Sequence, residues 1–158
     1  QSGHIAAVGF GLYCQLLQRT IAMMRGEKVR ETVDVKLNLD FALPRIPYDY
    51  IEEDAQRLNL MKRFAEAQDQ RTVRALAAEM KDRFGPLPTT AAEFVRIAEL
   101  RVACASAGIS RIDTKDTRAI LYRAASGEIA KVLELRGKDD AGKLGELMKA
   151  VSRLRAGS

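Results

Sequence analysis

Between positions 33 and 41 the chain alternates without a break: Val33, Val35, Leu37, Leu39 and Phe41 are apolar, Asp34, Lys36, Asn38 and Asp40 polar. A period of two sends successive side chains to opposite faces, so this stretch predicts a half-buried strand. Pro44 and Pro47 end it, because proline cannot donate to a ladder. Tyr48-Asp49-Tyr50-Ile51 follows as an aromatic loop, its tyrosines expected to anchor the chain before the next helix. The period then changes. Over 52–66, Ala55, Leu58, Met61 and Ala65 share one helical face; over 72–84, Val73, Leu76, Ala77, Met80 and Phe84 do. These two predict a helical hairpin broken at Asp69 or Gln70. In a third helix, 91–107, Phe94, Ile97, Ala98, Arg101 and Ala105 alternate with Val95, Val102 and charged positions, and Gly108 caps it. Short apolar runs at 109–112, 119–123 and 130–135 predict strands, with tight turns at Lys115-Asp116 and Ser126-Gly127. Their links are too short for helical crossovers, so they are expected to be antiparallel. Asp139 caps a last helix, 141–154, with Leu144, Leu147, Met148 and Val151 inward. The expected class is α+β: an antiparallel sheet packed with a helical hairpin and further helices.

Ahead of all this, Ile5, Val8, Leu12, Leu16, Ile21 and Met24 recur at helical spacing across 5–25, although Gly9 and Gly11 weaken the pattern. Gly26 ends that helix and 27–32 is a charged linker. The chain has no Met at its start, so these residues are expected to be the tail of a preceding unit.

One corner organises the helices. In Lys81-Asp82-Arg83-Phe84-Gly85-Pro86-Leu87-Pro88, Gly85 stands where a helix end favours positive φ, and Pro86 cannot continue the helix. Thr89 and Thr90 offer hydroxyls to the next helix, with Glu93 placed to complete a capping box.

Composition changes this picture little. Of 158 residues 47% are apolar and only 6% aromatic, with no Trp, so the core is built mainly of aliphatic side chains. The net charge of +5 admits a nucleic-acid or acidic-protein partner, but charges of both signs are mixed along the helices. Cys14 and Cys104 are far apart and read as small apolar fillers of a reducing compartment, the cytoplasm. No apolar run approaches a membrane span and no secretion signal is recognisable.

Chemistry is sparse. There is no phosphate loop, nucleophile elbow, spaced cysteine set or paired histidines, and His4 has no cluster around it. Glu52/Glu53 and Asp139/Asp140 are read as helix N-terminal charge. No catalytic residue and no metal site is expected. Glu79 and Asp82, three apart, share a helix face flanked by Lys81 and Arg83. Two readings stay open: a solvated mixed-charge face, or an acidic spot that docks a basic patch. For the chain as a whole, the alternative is a stand-alone basic nucleic-acid-binding module.

Several strings carry a resemblance. Pro47-Tyr48-Asp49-Tyr50-Ile51, Leu58-Asn59-Leu60-Met61-Lys62-Arg63, Asp82-Arg83-Phe84-Gly85-Pro86-Leu87-Pro88, Leu100-Arg101 and Gly108-Ile109 resemble, in this order, the C-terminal TRCF domain of the bacterial transcription-repair coupling factors, the Mfd family. Gln1-Ser2-Gly3-His4-Ile5 is similar to the end of that family's translocation motif, running into a hook-shaped helix. The resemblance implies residues 1–30 as motif end and hook-helix linker, and 31–158 as a C-terminal regulatory domain. It implies a parent that moves along double-stranded DNA on ATP and Mg held by upstream motor domains, displaces stalled RNA polymerase and recruits UvrA. This chain itself is then not expected to hydrolyse ATP. The domain would dock on an N-terminal UvrB-like module and mask the UvrA-binding surface. Glu79 and Asp82 would make that contact; Arg83, Phe84, Gly85 and Pro86 would form its structural corner; Gln1 would be the motif's glutamine. The chain departs from the family at Glu52-Glu53, where a proline commonly follows the isoleucine. Beyond Thr114 only the pattern of strands and a final helix matches.

Overall fold

The computed structural model describes residues 33–42 and 44–156, together with Leu17, Thr20 and Met24, which are helical. The rest of the expected helix over 5–25, the linker 27–32, Gln1, His4 and Cys14 lie outside the described residues. The order is β1 (Lys36–Asn38), α1 (Asp54–Glu66), α2 (Gln70–Phe84), α3 (Thr89–Ala107), β2 (Ile109–Lys115), β3 (Arg118–Arg123), β4 (Ile129–Glu134) and α4 (Asp140–Ala156).

α3 is the partition of the fold. Apolar residues run round its axis instead of along one stripe, as a helix buried on two sides requires. Val95, Ala98 and Val102 join Leu60 and Phe64 of α1 and Val73, Leu76 and Met80 of α2 in one core. Leu100 and Cys104 face a second core with Ile112, Ala119 and Leu121 of the sheet and Leu144, Leu147 and Val151 of α4. The layers are therefore the α1–α2 pair, then α3 with α4, then the sheet. Arg101 of α3 donates to the Phe64 (2.6 Å) and Ala65 (2.9 Å) carbonyls, capping the end of α1 beside the Ala67 amide, which also bonds the Phe64 carbonyl (3.2 Å).

The sheet runs β1-β2-β3-β4. β2, β3 and β4 are antiparallel as expected, but β1 lies parallel to β2, with Leu37 opposite Ile112. The sheet is mixed because the chain between β1 and β2 passes through three helices, the long crossover that a parallel pair needs. The ladder of β1 is short, yet the alternation holds beyond it: Val35, Leu37, Leu39 and Phe41 all pack on the second core. Asp40 ties this segment to the β2–β3 turn. Its carboxylate accepts from Thr114 Oγ1 (2.8 Å) and Asp116 N (2.7 Å), and these bonds hold its pKa below the usual carboxylate value.

Four further expectations are corrected. The buried face of α1 is Leu60 and Phe64; Ala55 is exposed and Leu58 is 47% exposed. Phe64 sets that rotation, since its ring inserts edge-on to Phe94 at 5.4 Å and 90°. The β2–β3 turn is Asp116-Thr117, with Lys115 paired to Arg118 and Asp116 at φ 55°. No capping box forms on α3. Pro88 occupies the cap position and the helix begins at Thr89, so Thr90 lies inside it. The Glu93 carboxyl instead meets Asp140 of α4, and burial together with that neighbour raises its pKa. Finally, Tyr48 is 74% exposed: backbone bonds from Tyr50 and Ile51 to the Pro47 carbonyl close a turn that throws it outward. Tyr50 alone is the anchor.

α4 is capped as expected, Gly142 N donating to Asp139 Oδ1 at 2.8 Å. Its Glu146 accepts from the Arg136 and Gly137 amides, both at 2.8 Å, fixing the strand-to-helix link against the helix.

Candidate functional site

Val73, Leu76 and Met80 point α2 inward, which leaves Glu79 and Asp82 on its outer side. Glu79 is not a bare carboxylate. Arg63 of α1 grips it with two bonds, Nη1 to Oε2 at 2.6 Å and Nη2 to Oε1 at 2.8 Å. Arg83, one turn on, adds Nη1 to Oε2 at 3.1 Å. Paired charge-assisted bonds of this fork geometry are the stronger kind of surface ion pair. The Arg63 bonds are the main cause of a Glu79 pKa lowered to about 2, with Arg83 adding to them. The Arg63 pKa rises in return.

The cluster is braced from behind. The Arg83 guanidinium lies 5.0 Å from the Phe84 ring centroid. Phe84 meets Tyr50 edge-on at 6.0 Å. The Tyr50 hydroxyl donates towards the Gly85 carbonyl at 2.7 Å, with the Met80 carbonyl at 3.2 Å. Gly85 has φ 91° and ψ −172°, backbone that is essentially restricted to glycine. The corner residues Arg83, Phe84, Gly85 and Pro86 thus fix the end of α2 and, through Arg83, the position of Glu79. Asp82 is exposed, and its side chain makes no hydrogen bond or ion pair among the described residues.

The structure therefore brings Glu79 together with Arg63 and Arg83 and leaves Asp82 open beside them. The surface carries both signs of charge and is rigid. The Glu79–Arg83 spacing of four was visible in the sequence; Arg63 was missed, because it comes from a different helix. One consequence is measurable. A carboxylate whose folded pKa is lowered contributes stability above its unfolded pKa and loses it as pH falls through the folded value. Between about pH 5 and pH 2, Glu79→Gln is expected to lose stability less steeply than the natural chain in urea titrations at stepped pH. Equal slopes would mean that the Arg63–Glu79 pair adds nothing.

Elsewhere the chemistry is quiet. Cys104 is buried, and burial pushes its thiol up to about 12, as befits an unreactive filler. Among the described residues no helix is long and apolar enough to cross a membrane, and no group of three or more metal-ligating side chains gathers.

Residues 41–131 match the family of the TRCF domain, a span containing both the corner and the Glu79 cluster. The chain belongs to the TRCF domain family. Transcription-repair-coupling factor from Mycobacterium bovis is 37% identical over 123 residues, covering 71% of this chain and 10% of that protein. The Helicobacter pylori J99 protein of the same name is 30% identical over 149 residues, covering 94% of this chain and 15% of its own length. This TRCF-domain chain thus spans 10% to 15% of the length of the curated relatives it matches. A solved structure, the C-terminal domain of a transcription-repair coupling factor, superposes with a TM-score of 0.70 over 83% of this chain and 99% of that one. At 16% identity that likeness shows a shared fold.

Proposed function

We propose that residues 31–158 are the C-terminal regulatory domain of a transcription-repair coupling factor, and that residues 1–30 are the end of its translocation motif and a hook-helix linker. The domain docks on the N-terminal UvrB-like module of the same protein and masks its UvrA-binding surface until the motor engages. ATP and Mg serve the upstream motor domains, which act on double-stranded DNA and stalled RNA polymerase; this domain makes and breaks no bonds. The observation that carries this reading is the Arg63–Glu79–Arg83 cluster, a braced, two-signed surface with Asp82 open at its edge. Interfaces patterned in this way fix register and choice of partner more than raw affinity.

The energies suit a releasable clamp. Exposed ion pairs give about 0.2–1 kcal/mol each. A tethered partner needs no more than that, because its effective concentration is high. In the intact parent, Glu79→Arg combined with Asp82→Arg is expected to raise UvrA binding about two- to thirtyfold, from the loss of two such pairs. UvrA capture by the purified parent measures it. If UvrA binding and ATPase rate both stay at the natural level, the docking role of this pair is wrong.

A further inference from the structure

One face of the sheet packs on α3 and α4. The strand register reads the other face as rows that run across the strands. Leu37, Ile112, Leu121 and Leu133 belong to the second core, so their neighbours in sequence point the other way. One row is Asn38, Asp113, Ile120 and Val132; the row beside it is Lys36, Arg111, Tyr122 and Ile129. Neither core includes Ile120, Tyr122, Ile129 or Val132, and Ile129 is 55% and Val132 49% exposed. Each row therefore passes from polar residues on β1 and β2 to apolar ones on β3 and β4.

The charge on this face is nearly balanced: Lys36, Arg111, Lys115 and Arg118 stand with Asp34, Asp113 and Glu134. What distinguishes the face is the order of its charges. The first row carries an anion, Asp113, at the place where the second carries a cation, Arg111. The Arg111 guanidinium lies over the Tyr122 ring at 4.0 Å. Its Nε meets Asp113 Oδ2 of the same chain at 3.3 Å, and its two terminal nitrogens make no hydrogen bond among the described residues. Asp113 Oδ1 accepts from Asn38 Nδ2 at 2.8 Å, and a carboxylate has room for about four such bonds. Donors and acceptors are thus left over on both members of the pair.

We propose that this face binds the same face of a second copy of the chain, about a two-fold axis that runs across the strands midway between the two rows. That rotation lays each row of one copy on the other row of its neighbour. Arg111 then meets Asp113 of the second copy, and Asp113 meets its Arg111. Ile120 lies on Tyr122 of the second copy, Val132 on its Ile129, and Lys36 on its Asn38. Every contact occurs twice, as an isologous interface requires. Asp34, Lys115, Arg118 and Glu134 fall in the outer rows, on a rim that water reaches. An axis along the strands, between β2 and β3, would instead set Lys115 against Arg118 and bury Lys36 on Ile129, so the charges select the first arrangement. Strands about 4.8 Å apart and six residues long make a face of roughly 15–20 Å a side. That is well below the roughly 800 Å² per partner of an ordinary interface, so the pair is weak, with a Kd of about 10 µM to about 1 mM. It forms only where copies are brought together at high local concentration. This site lies on a different layer from the Glu79 surface, and the two can succeed or fail separately.

The test is sedimentation equilibrium of the 158-residue chain between about 10 and about 500 µM, with amide NMR shifts followed over the same range. A monomer–dimer equilibrium is expected, and the shifts that move with concentration should map to this face. Arg111→Asp and Asp113→Arg each set like charges across the axis, and each should weaken association about tenfold or more. Mixing the two variants in equal amounts makes both cross-copy pairs opposite in charge again, and should restore association to within about threefold of the natural chain. Attraction between net charges cannot imitate this: the natural chain carries +5 and each substitution shifts it by two, so both variants stay positive. Tyr48→Ser, which removes a 74% exposed ring elsewhere, should change nothing. A chain still monomeric at about 500 µM, full association by either single variant that melts normally, a mixture that stays monomeric, or concentration-dependent shifts clustered on another surface would each overturn the proposal.

Discussion

Phe64→Ala is expected to lower the stability of this domain by about 3–5 kcal/mol. Phe64 is 1% exposed and is the largest of the fully buried side chains among the described residues. It stands where α1 meets α3, edge-on to Phe94, and the Phe64 carbonyl is one of the two that Arg101 caps. Truncation removes the area of the ring and leaves a cavity whose walls belong to three helices. The walls collapse only partly, which is what makes such sites costly. A domain of this size holds only about 5–15 kcal/mol in all, so about a fifth or more of its stability is lost. Guanidinium titration followed by far-ultraviolet circular dichroism measures the change. A loss below about 1 kcal/mol would mean that the α1–α3 contact is not a packed core.

Leu121→Ala is expected to cost about 2–5 kcal/mol, by the same physics in the other core. Leu121 is 0% exposed on β3, opposite Ile112 of β2, and packs towards α4. The two substitutions lie on opposite sides of α3, which contributes Val95, Ala98 and Val102 to one core and Leu100 and Cys104 to the other. Because one helix serves both, each variant should shift a single cooperative transition. A variant that unfolds in two steps, helical half and sheet half apart, would contradict the role given to α3.

Much of this fold was legible because its helices are long and strongly periodic, and because Gly85, Gly108 and Asp139 end or begin elements by local chemistry alone. What was misread depended on contacts distant in sequence. Ala55 and Leu58 fit a helical stripe as well as Leu60 and Phe64 do; the position of Phe94 chose between them. Nothing local distinguishes a parallel from an antiparallel β1, since its partner β2 lies beyond three helices. At the candidate site, Glu79 and Asp82 were found from their spacing, while Arg63, which holds Glu79, could be found only once α1 and α2 were in place. The outward block of Ile120, Tyr122, Ile129 and Val132 was visible as strand residues, but which face they would take depends on the register across β3 and β4.

The account rests on a surface that recognises another by fixed charge. Its most direct test is titration calorimetry of this chain against the separately purified UvrB-like module that the proposal places at the N-terminus of its parent, at low and at physiological salt. The account predicts binding that weakens as salt rises and is lost in the Glu79→Arg, Asp82→Arg double variant, with the fold of that variant intact. Binding of equal strength by the folded double variant, or binding that does not weaken as salt rises, would contradict it.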